Sequence, residues 1–263
     1  NQWGTLVSKI RSYKLGRTLD NFVLTYKGDA LMLAEGLAFN QTLGNVELRG
    51  DDDSAQRRYY NFYIANRDLY TGTINREDAA LLRSYATMAY DNHRAELEQC
   101  MFEQAMIQSQ TPFDLVFDEQ MDDLSRYRVL VLAGQNNLSD ENVARIRKFV
   151  ADGGGLVFTG ASGSRDQWLR RRSAPALNDL AGLPAGRAPR RGEGAVYSAK
   201  TEVSADGRVV YVPAVVPPNK EQAENWTGSW DGNLWEGTWI LPSNWRELED
   251  AVRRAAGGKL SLE

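Results

Sequence analysis

The chain has 263 residues, of which 42% are hydrophobic and 25% charged, and its formal net charge is -4 at pH 7. This is the balance of an ordinary globular protein able to bury one good core or two modest ones. It speaks against a nucleic-acid binder, which presents a net basic face, and no apolar run reaches the roughly 18 residues that a membrane-spanning helix needs.

The single cysteine, Cys100, rules out an internal disulfide and leaves localisation open, cytoplasmic or exported. The chain begins Asn-Gln-Trp-Gly, without an initiator Met or a signal-peptide pattern, and ends Ser-Leu-Glu, so it reads as a piece excised from a longer protein.

Residues 1 to about 50 read as helical. Asp29 can cap a segment in which Ala30, Ala34, Leu37 and Ala38 share a face, and Gly44 follows as a stop. That apolar stripe has no partner nearby in sequence, so it is expected to pack on the later α/β layers or on something outside the chain. Residues 50 to 76, with Asp51, Asp52 and Asp53 followed by Arg57, Arg58, Tyr59, Tyr60 and Phe62, read as a solvated linker. The three aspartates lack the alternating ligands, turn glycine and closing glutamate of a calcium loop.

From Asp78 to Gly160 the pattern alternates. Ala79-Ala80-Leu81-Leu82 predicts a strand, and Leu97, Cys100, Met101 and Ala105 mark the buried face of a helix. Phe113 to Phe117 predicts a second strand, and Tyr127 to Ala133 is the near-continuous apolar run of a strand covered on both faces. Ser139 can cap a helix with Asp140 and Glu141 in its first turn and Val143, Ile146 and Val150 on its buried side, stopped by Gly153-Gly154-Gly155. Leu156 to Gly160 is the next strand. The order strand, helix, strand, strand, helix, strand predicts a flavodoxin-like three-layer α/β sandwich with a mostly parallel sheet.

After Gly160, Arg170-Arg171-Arg172, Arg187, Arg190 and Arg191 fall in a stretch that reads as loop. Ala195-Val196-Tyr197 and Arg208 to Val212 predict strands, Trp245 to Ala256 a helix with Leu248 and Val252, and Leu260-Ser261-Leu262 the stub of another strand. Five of the seven tryptophans, Trp226, Trp230, Trp235, Trp239 and Trp245, crowd together before and into that helix.

The runs Tyr-Arg-Val-Leu-Val-Leu-Ala-Gly at 127–134, Leu-Ser-Asp-Glu at 138–141 and Phe-Val-Ala-Asp-Gly-Gly-Gly-Leu-Val-Phe-Thr-Gly at 149–160 resemble the trimerisation domain of the beta-galactosidases of glycoside hydrolase family 42. Thr111-Pro112-Phe113-Asp114 and Phe117-Asp118-Glu119 are similar as well. The resemblance spans roughly residues 78 to 216 and implies a class I glutamine-amidotransferase-like fold. Asp29 to Asn40 resembles the tail of the catalytic barrel of such glycosidases. The chain would then divide into a helical extension and linker, 1–76, and an amidotransferase-like domain, 77–263, with the barrel's two catalytic carboxylates upstream.

In that superfamily a cysteine nucleophile sits at the turn after the strand matching 156–160. Here the turn reads Gly160-Ala161-Ser162-Gly163-Ser164, without a cysteine and with the last glycine and serine of a G-x-S-x-G elbow transposed. The one histidine, His93, is placed near the end of the first strand-to-helix loop and lacks a nucleophile to activate. The turn 160–162 therefore reads as a degenerate nucleophile site. Cys100 reads as a small core residue, and no second His or Cys is available to share a metal with His93. Asp118 with Glu119, and Asp122 with Asp123, are sequence neighbours, and neighbours on a strand point to opposite faces, so neither pair flanks one glycosidic bond. Trp226, Trp230, Trp235 and Trp239 suit stacking on sugar faces, with Asp231 able to hydrogen-bond the hydroxyls, but packing of the rings on the sandwich or a neighbouring barrel is the favoured reading.

The leading expectation is a non-catalytic accessory and oligomerisation domain of a glycoside hydrolase. Its partners would be its own upstream barrel and, by the resemblance, two further copies in a trimer, with no cofactor, metal, nucleic acid or membrane. A carbohydrate-binding module working through the Trp cluster, and a small-molecule hydrolase with a site at the 160–164 turn, are the alternatives.

Overall fold

A computed structural model of the chain describes residues 7–8, 10–21, 23, 30–40, 55–74, 76–186, 197–221, 237–238 and 240–260. They divide into two compact units, one drawn from 1–75 with 229–239 and the other from 76–228 with 240–263.

In the first unit, strand β1 (Val7–Ser8) pairs antiparallel with Gly237–Thr238, and three helices are described: α1 (Ile10–Thr18), α2 (Ala30–Ala38) and α3 (Ala55–Asn66). The deepest residues of α2 are Leu33 and Leu37, not the alanines of the predicted stripe. Tyr13 of α1 is fully buried and donates its hydroxyl to the Met32 carbonyl at 3.1 Å. The partners of α2 thus include α1 and α3, within the same unit. Ala30, Ala34 and Leu37 meanwhile line an open groove of about 600 Å³ shared with Ala55, Arg58, Tyr59 and Phe62. The expected linker is corrected by α3, which has no glycine or proline to break it and buries none of its residues fully. Its partly buried residues include Ala55, Tyr59 and Tyr63, spaced i, i+4 and i+8 on one side of the helix. Asp29, Gly44 and Asp51 to Asp53 lie outside the described residues.

The second unit is built on a six-stranded sheet. Its strands are β2 (Ala79–Leu82), β3 (Phe113–Val116), β4 (Val129–Leu132), β5 (Gly155–Thr159), β6 (Glu202–Val203) and β7 (Val209–Val212), in the order β3-β2-β4-β5-β7-β6. All pairings are parallel except that of β6, which closes one edge antiparallel. Numbered among themselves, the five parallel strands run 2-1-3-4-5, the order of doubly wound sheets of the flavodoxin type. Ala195 and Val196 lie outside the described residues and Tyr197 is not in a strand; the edge partner of β7 is β6 instead.

Among the described residues, three helices cover this sheet: α4 (Tyr85–Gln108), α5 (Asp140–Ala151) and α6 (Trp245–Ala255). Ser139 caps α5, its hydroxyl accepting from Asn142 N at 3.0 Å. Side chains alternate across each strand. Leu130, Leu132, Leu156, Phe158, Val209 and Tyr211 join Ile146 and Phe149 of α5 in one buried cluster. The alternate positions Val129, Val131, Val157 and Val210 face the other layer, where α4 and α6 pack against each other and α6 lies along β4, β5 and β7. α4 is kinked at Asp91, where φ is −143° and ψ 35°. His93 falls inside this helix rather than in the expected loop, because the strand-to-helix connection is only Arg83-Ser84.

Candidate functional site

Doubly wound sheets bind ligands outside the carboxyl ends of their strands, where the strand order reverses. That point lies here between β2 and β4, and the chain's own amide and hydroxyl groups fill it. The Ser84 backbone N donates to Gln135 Oε1 at 2.9 Å, and Gln135 Nε2 donates to the Ala133 carbonyl at 3.0 Å. Thr87 Oγ1 accepts from Asn137 N at 3.1 Å and donates to Asn137 O at 2.8 Å. Gln135 and Asn137 are essentially without solvent exposure. Arg83 and Glu96 form a buried ion pair at 3.5 Å close by.

The turn after β5 is the position expected to be a degenerate nucleophile site. Gly160 has φ +53° and Gly163 φ +71°, the left-handed conformation that glycine adopts without penalty and that bends the chain sharply here. Ser162 is fully buried, its Oγ 2.7 Å from the Thr159 carbonyl and 3.0 Å from the Leu132 carbonyl. A serine nucleophile needs a proton acceptor and access to substrate, whereas this hydroxyl is spent on two backbone carbonyls. Ala161 is half-buried beside it, and the His93 side chain lies outside the described residues.

Burial pushes the Glu98 carboxyl above the ordinary glutamate range, against the opposing pull of Arg94 at 3.3 Å. Its Oε2 lies 3.5 Å from Thr159 Oγ1, which accepts from Gly134 N at 2.9 Å. Asp118 and Glu119 sit on a 3-10 turn (Asp118–Asp122), not on a strand, so the opposite-face argument does not apply to them. Both reach Tyr85: Asp118 Oδ2 accepts from its backbone N at 2.6 Å, and Glu119 Oε2 accepts from its hydroxyl at 2.7 Å. Partial burial, helped by the Glu119 carboxylate, pushes the Tyr85 phenol up to about 12. Asp122 pairs with Arg145 at 2.7 Å, and Asp123 accepts from Ser125. These carboxylates anchor α4, α5 and a turn, and none of these contacts joins two of them across a cleft.

Cys100 is half-buried on α4, less enclosed than its sequence neighbours suggest. Among the described residues, no group of three or more His, Cys, Asp or Glu side chains is placed to hold a metal ion, and no helix is long and apolar enough to cross a membrane. Trp226, Trp230, Asp231, Trp235 and Trp239 lie outside the described residues. Trp245 opens α6, with the Arg246 guanidinium 4.8 Å from the centre of its ring.

One feature of this edge escapes sequence reasoning. Trp168, in the Arg-rich stretch after β5, is 62% exposed on a loop whose next residue, Leu169, is held at φ +65°. An exposed indole cannot be told from a buried one by pattern in a loop without periodicity; only the non-repetitive Asp166-Gln167-Trp168 context marks it.

The strand order and its crossovers define a doubly wound α/β domain. Residues 75–208 match the family described as the beta-galactosidase trimerisation domain. The chain belongs to that family. Among solved structures, a cold-adapted beta-galactosidase from a Rahnella species is similar at 16% identity and a TM-score of 0.52, over 68% of this chain and 34% of that one. A beta-galactosidase from the Antarctic haloarchaeon Halorubrum lacusprofundi matches at 15% identity over 89% of this chain and 41% of that one, with a TM-score of 0.48. A catalytic mutant of a GH42 beta-galactosidase from G. stearothermophilus matches at 19% identity over 60% and 28%, with a TM-score of 0.47. The chain thus spans well under half the length of each of these three. No curated protein sequence matches it significantly.

Proposed function

We propose that the 76–228 and 240–263 unit is a self-association module that joins three copies of its parent protein and carries no chemistry of its own. The observation that carries this reading is the conjunction of the family match over 75–208 with a switch-point crevice filled by Gln135, Asn137, Ser84 and Thr87. A hydrolase at the 160–164 turn gains no support from a Ser162 buried among carbonyls. The parent is a family 42 glycoside hydrolase whose catalytic barrel precedes this segment, the helices before Asn75 being the tail of that barrel. This extension is supported by the length of the similar structures, of which the chain covers about a third.

Light scattering on the chain across a wide concentration range tests the association. A mass of three chains, each 29.5 kDa, that persists on dilution is the expected result. A single-chain mass throughout contradicts the reading.

A further inference from the structure

The carboxyl edge of the sheet presents an exposed tryptophan on a loop that is held open by its own hydrogen bonds. Arg165 and Arg171 pair as an antiparallel bridge, and Arg165 also bridges in parallel to Asn137, itself bonded to α4 through Thr87 and Ala86. Within the loop, one oxygen of Asp166 accepts from both Trp168 N and Arg170 N at 2.9 Å, and Asp166 N donates to the Arg170 carbonyl at 2.9 Å. Leu169 occupies the left-handed region, which a branched residue enters only where the surroundings impose it. The loop is therefore ordered before any partner arrives. Trp168 stands 62% exposed at its tip, with the exposed Arg170 two residues on.

We propose that Trp168 is the anchor by which one copy of this chain grips the next, with Arg170 at the margin of the contact; this rests on the self-association proposed above. Tryptophan and arginine are the residues in which interface energy concentrates, at the centre of well-packed pockets. A loop already in its bound shape loses little conformational freedom on docking. A closed ring of three requires a heterologous contact, in which a projection on one copy meets a different surface of its neighbour. A lone protruding indole is a projection of that kind, and it lies inside the segment matching the trimerisation family. Trp168 is not among the residues of the buried cluster between the sheet and α5.

Sedimentation equilibrium of the full chain, with far-UV circular dichroism melts as the folding control, tests this. Trp168→Ala is expected to weaken association at least about thirtyfold, as truncation of an interface hot spot does, with the far-UV spectrum unchanged and any fall in melting midpoint confined to concentrations at which the wild type is assembled. Asp166→Ala, which loosens the loop without touching the ring, is expected to weaken it less. Arg170→Glu is a second surface variant, independent of any effect of Trp168→Ala on folding, and it too is expected to reduce association. A wild-type trimer that persists undiminished in Trp168→Ala and Arg170→Glu overturns the anchor while leaving self-association intact. A wild-type chain that is monomeric at every concentration overturns the self-association reading, and this inference with it.

Discussion

Gly155→Ala is the substitution whose effect follows most directly from the packing. Gly155 opens β5 where the last turn of α6 comes to rest on the sheet. A Cβ at this position would lie 2.2 Å from the Ala255 carbonyl oxygen, 2.6 Å from its carbonyl carbon and 3.1 Å from its Cβ. The two nearest atoms are backbone, so no change of rotamer relieves the clash. The φ of Gly155 is outside the left-handed region, so the cost is steric and not conformational. α6 must lift, partly uncovering Leu248 and Val252, both fully buried. Overpacking of a core typically costs 1–3 kcal/mol, and contact with rigid backbone places this case near the top, at about 3 kcal/mol. For a unit of this size each kcal/mol moves Tm by roughly 2–4 °C, so a fall of about 6–12 °C is expected. Urea unfolding followed by far-UV circular dichroism measures the free energy, and a thermal melt the midpoint. Ala255→Gly removes only the 3.1 Å contact and should restore little of the loss in the double variant. A Gly155→Ala protein within about 0.5 kcal/mol of wild type, the range of an ordinary surface change, would refute the close docking of α6 on β5.

Three further substitutions probe other parts of the second unit. Tyr127→Phe removes the hydroxyl that donates to the buried Asp114 at 2.8 Å, leaving that carboxylate with Arg126 at 2.6 Å; a loss of about 1–3 kcal/mol in urea unfolding is expected. Ser162→Ala deletes a hydroxyl serving two carbonyls, so it should cost roughly 0.5–1.5 kcal/mol and leave the assembly state unchanged, whereas a loss of enzymatic turnover with unaltered stability would restore a nucleophile to this turn. Glu98 has a folded-state pKa raised by burial above the ordinary 4.5. The folded protein therefore holds that proton more tightly than the unfolded chain. The stability this gives is fully present below the unfolded pKa and is lost as pH rises through the raised one. Glu98→Gln, a mimic of the protonated form, should thus gain on wild type in melts at about pH 8 relative to about pH 4; a gap independent of pH would count against the assignment.

The second unit was largely legible because its elements obey strong local rules. The run Val129-Leu130-Val131-Leu132 is apolar at every position because helices cover both faces of β4, and continuous apolarity is the signature of that environment. The helix α5 carries a cap, charges matched to its dipole and a one-sided apolar stripe, all of which the structure uses. By contrast, α3 was hard to read because Arg57, Arg58 and Asn61 interrupt its apolar run, so the partly buried side formed by Ala55, Tyr59 and Tyr63 does not stand out. The strand β6 is two residues long, too short for any alternation to show. At the candidate site, the lack of a nucleophile in the 160–164 turn is plain from residue types alone. The filling of the crevice is not, since Gln135 and Asn137 look like ordinary polar loop residues until the chain brings Ser84 and Thr87 against them. Trp168 escaped notice for a related reason: its exposure is set by the Asp166 hydrogen bonds and by the left-handed Leu169, neither of which leaves a periodic trace.

Native mass spectrometry on a mixture of isotope-labelled and unlabelled chains, refolded together, reads out self-association into threes without intermediaries. Assemblies of three chains in every labelled and unlabelled combination are expected, each subunit contributing 29.5 kDa. Masses of single chains alone, at concentrations where the folded state is intact, would contradict self-association.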